Sequence, residues 1–251
     1  HIYLKFRTKE FLMNDFFVHG PIESIECIVE ENKSNEKKIL IMSHGFRGSR
    51  ESGGYAKGIA VKASAFADVI RYNFTGTQIL SLQVDELLAV IRHVKRENPD
   101  AKIFLLGRSM GGAASIIASA QEEVDGLILW STPNDLRATF KNCMPEEEYA
   151  DLNAGKMIHL CDERGCTLIF PEFLTDLDKY DLSALLKSWQ GRPVLLFHGE
   201  ADDIVSVEQG RRNASILGES CEAYFVPEGD HHLQNFSEQA GTIIARWLSE
   251  R

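Results

Sequence analysis

Ser109 stands in the stretch Lys102 to Gly112, KIFLLGRSMGG. An apolar run, Ile103 to Leu106, leads into Gly107-Arg108-Ser109-Met110-Gly111, and small residues follow from Gly112 to Ile117. The pattern G-x-S-x-G between a strand and a helix lifts a serine hydroxyl onto a strained turn. Glycines suit the flanks because strand and helix backbones come very close there. The helix start also aims free N–H groups and the positive dipole end at the serine, which suits a developing oxyanion. The N–H of the residue after the serine, Met110, would be one oxyanion donor. A serine hydroxyl is a weak nucleophile and needs a base within hydrogen-bond reach. Far downstream, Asp230-His231-His232 supplies candidate bases, and Asp202-Asp203 supplies candidate acids to orient one. The pentapeptide alone also fits an ordinary glycine-rich turn, so the surrounding elements decide.

Those elements alternate. KILIMS (Lys38 to Ser43), ADVIRYNF (Ala67 to Phe74), the run before Ser109, GLILWS (Gly126 to Ser131), PVLLFHG (Pro193 to Gly199) and Cys221 to Val226 read as strands. Helices are expected at about 53–66, 79–97, 110–123, 207–217 and 237–250, the last with Ser237 as N-cap. Residues 1–31 read as two or three antiparallel strands, with Ile2, Leu4 and Phe6 alternating with polar neighbours. Alternating strands and helices predict an α/β chain with a mostly parallel sheet and helices on both faces. In such sheets ligands bind beyond the carboxyl ends of the strands. His44-Gly45-Phe46, Ser109, Asp202-Asp203 and His231-His232 all follow strands. Residues 133–192 break the rhythm and read as an insertion containing a hairpin, Lys156 to Phe170, and one or two helices.

The motifs together resemble the α/β-hydrolase superfamily, most of all its bacterial dienelactone-hydrolase-like and cinnamoyl (feruloyl) esterase-like branch. The resemblance rests on the HGF segment at 44–46, RYNFTGT at 71–77, GRSMGG at 107–112, HGEADDIV at 198–205, EGDHHL at 228–233 and PEFLTDLDKYDL at 171–182. It implies an α/β-hydrolase core at 1–132 and 193–251 with residues 133–192 as an inserted cap. It implies Ser109 as nucleophile, His231 as base by the register D-H-x-[LF], and Asp202 as orienting acid by the register H-G-x-x-D-x-[IV]-V. The second oxyanion donor would be the N–H of Phe46, beside that of Met110. The expected activity is serine hydrolysis of carboxylic esters through an acyl-enzyme, with no cofactor and no metal. Thioesters, lysophospholipids, monoglycerides and short peptides are the neighbouring substrate classes, and a non-catalytic ligand-binding protein is the remote one. Arg108 departs from the branch, where His, Gln or a less charged residue is frequent; an ion pair with a protein carboxylate is the expected role, against an acidic substrate. His44 and His198 are expected to be structural, and Trp130 to pack in the core.

The chain has 251 residues and a net charge of −10, with 44% hydrophobic and 25% charged residues. No long basic run is present, which points away from nucleic acid and anionic membranes. No apolar stretch approaches the ~20 residues of a membrane helix, so stable membrane insertion is not expected. HIYLKFRTKEF at the start lacks a signal-like apolar segment. Five scattered cysteines do not look like a secreted disulfide framework. The sequence therefore reads as cytoplasmic, with Cys161 and Cys166 as facing but reduced thiols in their hairpin. Monomer and homodimer both remain open, and the expected partner is a small-molecule ester.

Overall fold

A computed structural model describes residues 16–251. The alternation at Ile2, Leu4 and Phe6 lies outside the described residues. The elements are β1 (Phe16–His19), β2 (Ser24–Glu30), β3 (Lys38–Ser43), α1 (Tyr55–Ala63), β4 (Asp68–Tyr72), α2 (Leu80–Glu97), β5 (Lys102–Arg108), α3 (Met110–Ala118) and β6 (Gly126–Trp130). The insertion follows with α4 (Leu136–Cys143), α5 (Glu146–Asn153), β7 (Ile158–Asp162), β8 (Gly165–Ile169), α6 (Glu172–Leu177) and α7 (Leu182–Ser188). The chain then returns to the sheet through β9 (Val194–Gly199), α8 (Val207–Leu217), β10 (Cys221–Val226) and α9 (Ser237–Ser249).

Eight strands form one sheet in the order β1-β2-β4-β3-β5-β6-β9-β10. β1 and β2 are antiparallel and the other six run parallel. The middle strands β3, β6 and β9 are buried along their whole length. Period-two geometry then sorts their side chains onto two cores. Ile39, Ile41, Ile103, Leu105, Leu127, Leu129, Val194 and Leu196 face α2 and α3. Leu40, Met42, Phe104, Leu106, Ile128, Trp130, Leu195 and Phe197 face α1 and α9. The connection from β3 leaves over the α1 face, whereas β5 leaves through α3 on the other face. The crevice where adjacent connections part is where ligands bind in such sheets, and it separates the loop after β3 from the turn after β5.

The insertion has no core of its own. Phe140, Leu152, Ile158, Leu160, Ile169, Phe173 and Leu174 join the cluster on the α2–α3 face. Asp135 and Asp181 start its helices by accepting the N–H groups of Ala138 and Ala184 at 2.9 and 3.0 Å. Three expectations shift. α3 ends at Ala118 rather than near Glu123. Residues 52–54 form a 3₁₀ turn before α1, where Gly53 and Gly54 both take positive φ. Ser237 is not the N-cap of α9: a 3₁₀ turn at Gln234–Phe236 precedes it, and its hydroxyl donates to the Gln234 carbonyl at 2.6 Å.

The thiols of the insertion are also not as expected. β7 and β8 pair antiparallel with Cys161 opposite Cys166, and the two are joined as a disulfide. Gly165, at φ 102°, closes the turn tightly enough to bring their Cα atoms to 4.1 Å. That approach lies near the short limit for a bridge between directly opposed residues. Cys27, Cys143 and Cys221 remain free thiols, and burial pushes each up to about 12. Among the described residues no helix is long and apolar enough to cross a membrane.

Candidate active site

Ser109 sits between β5 and α3 with φ 52° and ψ −120°, a conformation L-residues avoid. The surroundings hold it there. Its N–H donates to the Trp130 carbonyl at 2.8 Å, and its carbonyl accepts from Gly112 at 2.9 Å. A Cβ at Gly107 would lie 2.3 Å from the Gly111 oxygen, and one at Gly111 would lie 2.4 Å from the His44 oxygen. Strand, helix and the loop after β3 thus meet backbone to backbone around the serine, which only glycine permits.

The loop after β3 is fixed from both sides. His44 is buried, its Nδ1–H donates to the Gly45 carbonyl at 2.9 Å, and its Nε2 accepts the Phe74 N–H at 3.1 Å. Burial pushes its pKa down from 6.5 to about 4, so the ring is neutral near pH 7. A Cβ on Gly45 would lie 3.1 Å from the Ser109 Cβ, so this loop abuts the serine directly. Phe46 follows, with its ring against Phe140 and Phe173 of the insertion. Met110, by contrast, turns its side chain into the core and is fully buried.

Arg47 has φ 50° and spans to the hairpin. Its N–H donates to Gln78 Oε1, while Nε donates to Thr167 Oγ1 at 2.9 Å and Nη1 to Asp162 Oδ2 at 2.8 Å. Nη2 reaches Asp162 Oδ1 at 3.2 Å and the Gly165 carbonyl at 2.5 Å. The Arg47 side chain is only 3% exposed. Arg164 and then Arg47 hold the Asp162 carboxyl down at about 2. Nothing in the sequence flags this clasp, because its partners lie 115 and 120 residues apart.

Asp202 follows β9 and is buried. Its Oδ1 accepts the N–H groups of Ile204 and Val205 at 3.0 and 2.8 Å, and its Oδ2 accepts His231 Nδ1–H at 2.8 Å. His231 Nε2 makes no hydrogen bond among the described residues, and neither does Ser109 Oγ. Asp203 is exposed and its side chain bonds nothing among the described residues. His198 is wholly buried, donates from Nε2 to the Val205 carbonyl at 2.8 Å, and lies 3.5 Å from Asp202 Oδ2. Burial lowers its pKa, which keeps it neutral beside the carboxylate.

His232 turns away from Asp202. Its Nδ1 accepts from Arg108 Nη2 at 2.7 Å, and its carbonyl accepts from Trp130 Nε1 at 3.2 Å. Residues 108 and 130 therefore tether the histidine loop to the strand ends flanking Ser109. The expected pairing of Arg108 with a carboxylate does not occur among the described residues. A neutral imidazole takes that place, because the arginine points to the α1 face, away from the acids of the Asp202 loop. Trp130 is buried against Tyr55 and Phe197, as a packing tryptophan would be.

The chain thus carries a strained serine after β5 and a carboxylate-bound imidazole after β10, at the same edge of one sheet, with residues of 133–192 packed on its α2–α3 face. Superposition on Est1E from Butyrivibrio proteoclasticus gives a TM-score of 0.79 at 17% identity, covering 94% of this chain and 98% of that one. The fold is the α/β-hydrolase fold. An esterase of Pyrococcus furiosus shares this fold, with a TM-score of 0.72 at 18% identity over 98% of this chain and 95% of that one. Residues 76–150, which include Ser109 and Met110, match the family model of the S33 serine aminopeptidases. A curated relative, the uncharacterized protein YfhR of Escherichia coli O157:H7, is 25% identical over 157 residues. The match takes in 61% of this α/β-hydrolase-fold chain and 46% of the relative, so the chain spans under half of that protein's length.

Proposed function

We propose that the protein is a serine hydrolase of carboxylic esters. The observation that carries this is the buried Asp202–His231 hydrogen bond of 2.8 Å, in a chain that also holds a serine at φ 52° on a strand-to-helix turn. In this reading Ser109 Oγ attacks the ester carbonyl and His231 Nε2 takes its proton. Asp202 fixes the tautomer with Nδ1–H toward itself and stabilises the imidazolium that forms. Its own two backbone N–H bonds leave Oδ2 committed to the histidine. The N–H groups of Phe46 and Met110 receive the oxyanion, each contributing about 3 kcal/mol of transition-state stabilisation. His231 then gives the proton to the leaving alcohol, and water cleaves the acyl-enzyme by the reverse sequence. The reading requires the Ser109–His231 hydrogen bond to form when substrate binds, since unliganded catalytic hydrogen bonds are often long or poorly aligned.

The insertion acts as a cap at 133–192 that sets substrate access through Phe46, Phe140 and Phe173. No residue outside the chain's own backbone and side chains is needed for these steps. The match of residues 76–150 to serine aminopeptidases favours a second reading, peptide hydrolysis by the same three residues. Both readings place the protein as a soluble-substrate enzyme with a small-molecule partner.

The test is hydrolysis of p-nitrophenyl esters from acetate to long chains, with methyl ferulate and aminoacyl-p-nitroanilides alongside. Ester turnover abolished in Ser109→Ala and His231→Ala supports the proposal. Turnover of anilides alone selects the peptide reading. Ester turnover that survives Ser109→Ala rules out both.

A further inference from the structure

Half-buried Arg108 has no anionic partner among the described residues. Its Nη2 spends itself on the neutral ring of His232, and its Nε is buried with no hydrogen-bond partner among the described residues. Neighbouring arginines are compensated: Arg50 pairs with Glu26 at 2.9 Å and Arg71 with Glu30 at 3.2 Å. A buried, unpaired donor on a charged group is costly, so a complementary acceptor is expected.

A cavity of about 20 Å³ opens beside that nitrogen. Arg108, Arg50, Tyr55, Ser49, Ser52 and Trp130 line it, and no aspartate or glutamate does. The Tyr55 hydroxyl is buried there too, has no hydrogen-bond partner among the described residues, and is kept neutral by that burial, which raises its pKa. Asp230, the carboxylate that acts on Tyr55, lies outside that lining, and its Oδ1 accepts the N–H groups of His232 and Leu233 at 3.1 and 2.7 Å. The site thus offers two orphan donors, a positive field and room for one particle of about water's size.

We infer that this cavity is a halide site, with Arg108 Nε–H and the Tyr55 hydroxyl as donors to a bound chloride. Sulfate and phosphate are too large for it, and the guanidinium of Arg108 repels a cation. A bound halide would neutralise the guanidinium that holds the histidine loop through His232. The inference does not depend on the proposed activity, because binding is read without substrate.

The experiment combines diffraction and thermal unfolding. Crystals grown in sodium bromide should show an anomalous peak within hydrogen-bond distance of Arg108 Nε and Tyr55 Oη. Chloride titrated at constant ionic strength against gluconate should raise Tm saturably in the parent. Tyr55→Phe, which keeps the ring packing, should shift the half-saturation about tenfold upward, the loss of one hydrogen bond to a charged group. Arg108→Gln should abolish the response. A non-anomalous water at that position, or equal chloride responses in parent and Tyr55→Phe, overturns the inference. So does displacement of bromide by equimolar formate, which would assign the cavity to a carboxylate.

Discussion

The strand-end wall and the β7–β8 hairpin meet at the loop after β3 but are held by different forces. Ser109, Asp202 and His231 are each less than a tenth exposed and follow strands packed on both faces. Their positions are set by backbone contacts that only glycine allows and by hydrogen bonds to N–H groups. On the hairpin, His159, Cys161, Cys166 and Leu168 are exposed, as are Met157 and Phe170 at its ends. Its inward side chains, Ile158, Leu160 and Ile169, pack on the α2–α3 face, one disulfide staples its two strands together, and one arginine clasp ties it to the loop. The proposed chemistry is therefore built into the core, whereas the element beside it depends on a few replaceable side chains. Changes to the wall should abolish activity with the fold intact, and changes to the hairpin should reshape activity by smaller factors.

The largest effect is expected at the wall. Ser109→Ala or His231→Ala should lower kcat by about 10⁴–10⁶, and Asp202→Asn by about 10⁴, with circular dichroism unchanged. His232→Ala should retain most of kcat, since His232 bonds Arg108 and not Asp202. Equal losses in the two histidine variants would erase the distinction between them.

At the junction, Arg47→Ala removes bonds to Asp162, Thr167 and the Gly165 carbonyl. Breaking such a charge-assisted, part-buried set costs about 1–3 kcal/mol. A drop in kcat/KM of about ten- to a hundredfold should follow from displacing the loop after β3, whose Phe46 N–H is the proposed oxyanion donor, with a smaller change in Tm. An unaltered kcat/KM would mean that the hairpin does not position this loop.

The loop has its own acid limit. His44 is held near 4 when folded, against 6.5 when free, so the unfolded chain takes the proton first. Its contribution is intact above pH 6.5 and is lost as pH falls toward 4, at up to about 1.4 kcal/mol per unit. His198 and His232 shift in the same direction. Urea unfolding between pH 7 and 4 should show this slope, and His44→Gln should make it shallower. A stability flat across that range would contradict the buried neutral ring.

The smallest effect is expected at the disulfide. It closes a turn of six residues, so its loss should remove about 2 kcal/mol or less from the hairpin. Reduction, or Cys161→Ser with Cys166→Ser, should leave the global Tm nearly unchanged while shifting ester chain-length preference. A large fall in Tm would make the hairpin part of the cooperative core after all.

How much of this was legible in the sequence varies by distance along the chain. Helix α8 and strand β10 end where the apolar spacing places them, and the all-buried β3, β6 and β9 announce themselves as unbroken Val/Ile/Leu-rich runs. α3 stops early because Ala120 to Glu123 are small or polar and mostly exposed, with no apolar face to bury. Motif register singled out Asp202 and His231 from their neighbours, and these are the two that touch. The reduced-thiol reading of Cys161 and Cys166 failed because it argued from composition, while strand register decides which thiols face each other. The position before the serine argues for a protein carboxylate as the partner of Arg108, yet its strand parity, shared with Leu106, turns it toward His232 and a cavity without acids.

The sequence by itself determined the α/β alternation, the serine turn and the residues that follow each strand, because these depend on local periodicity and on the backbone needs of glycine. Only the tertiary structure decided the partners of Arg47, Arg108 and His232. Those contacts depend on strand order, face and register, which arise when distant segments pack and leave no mark at fixed spacing in the chain.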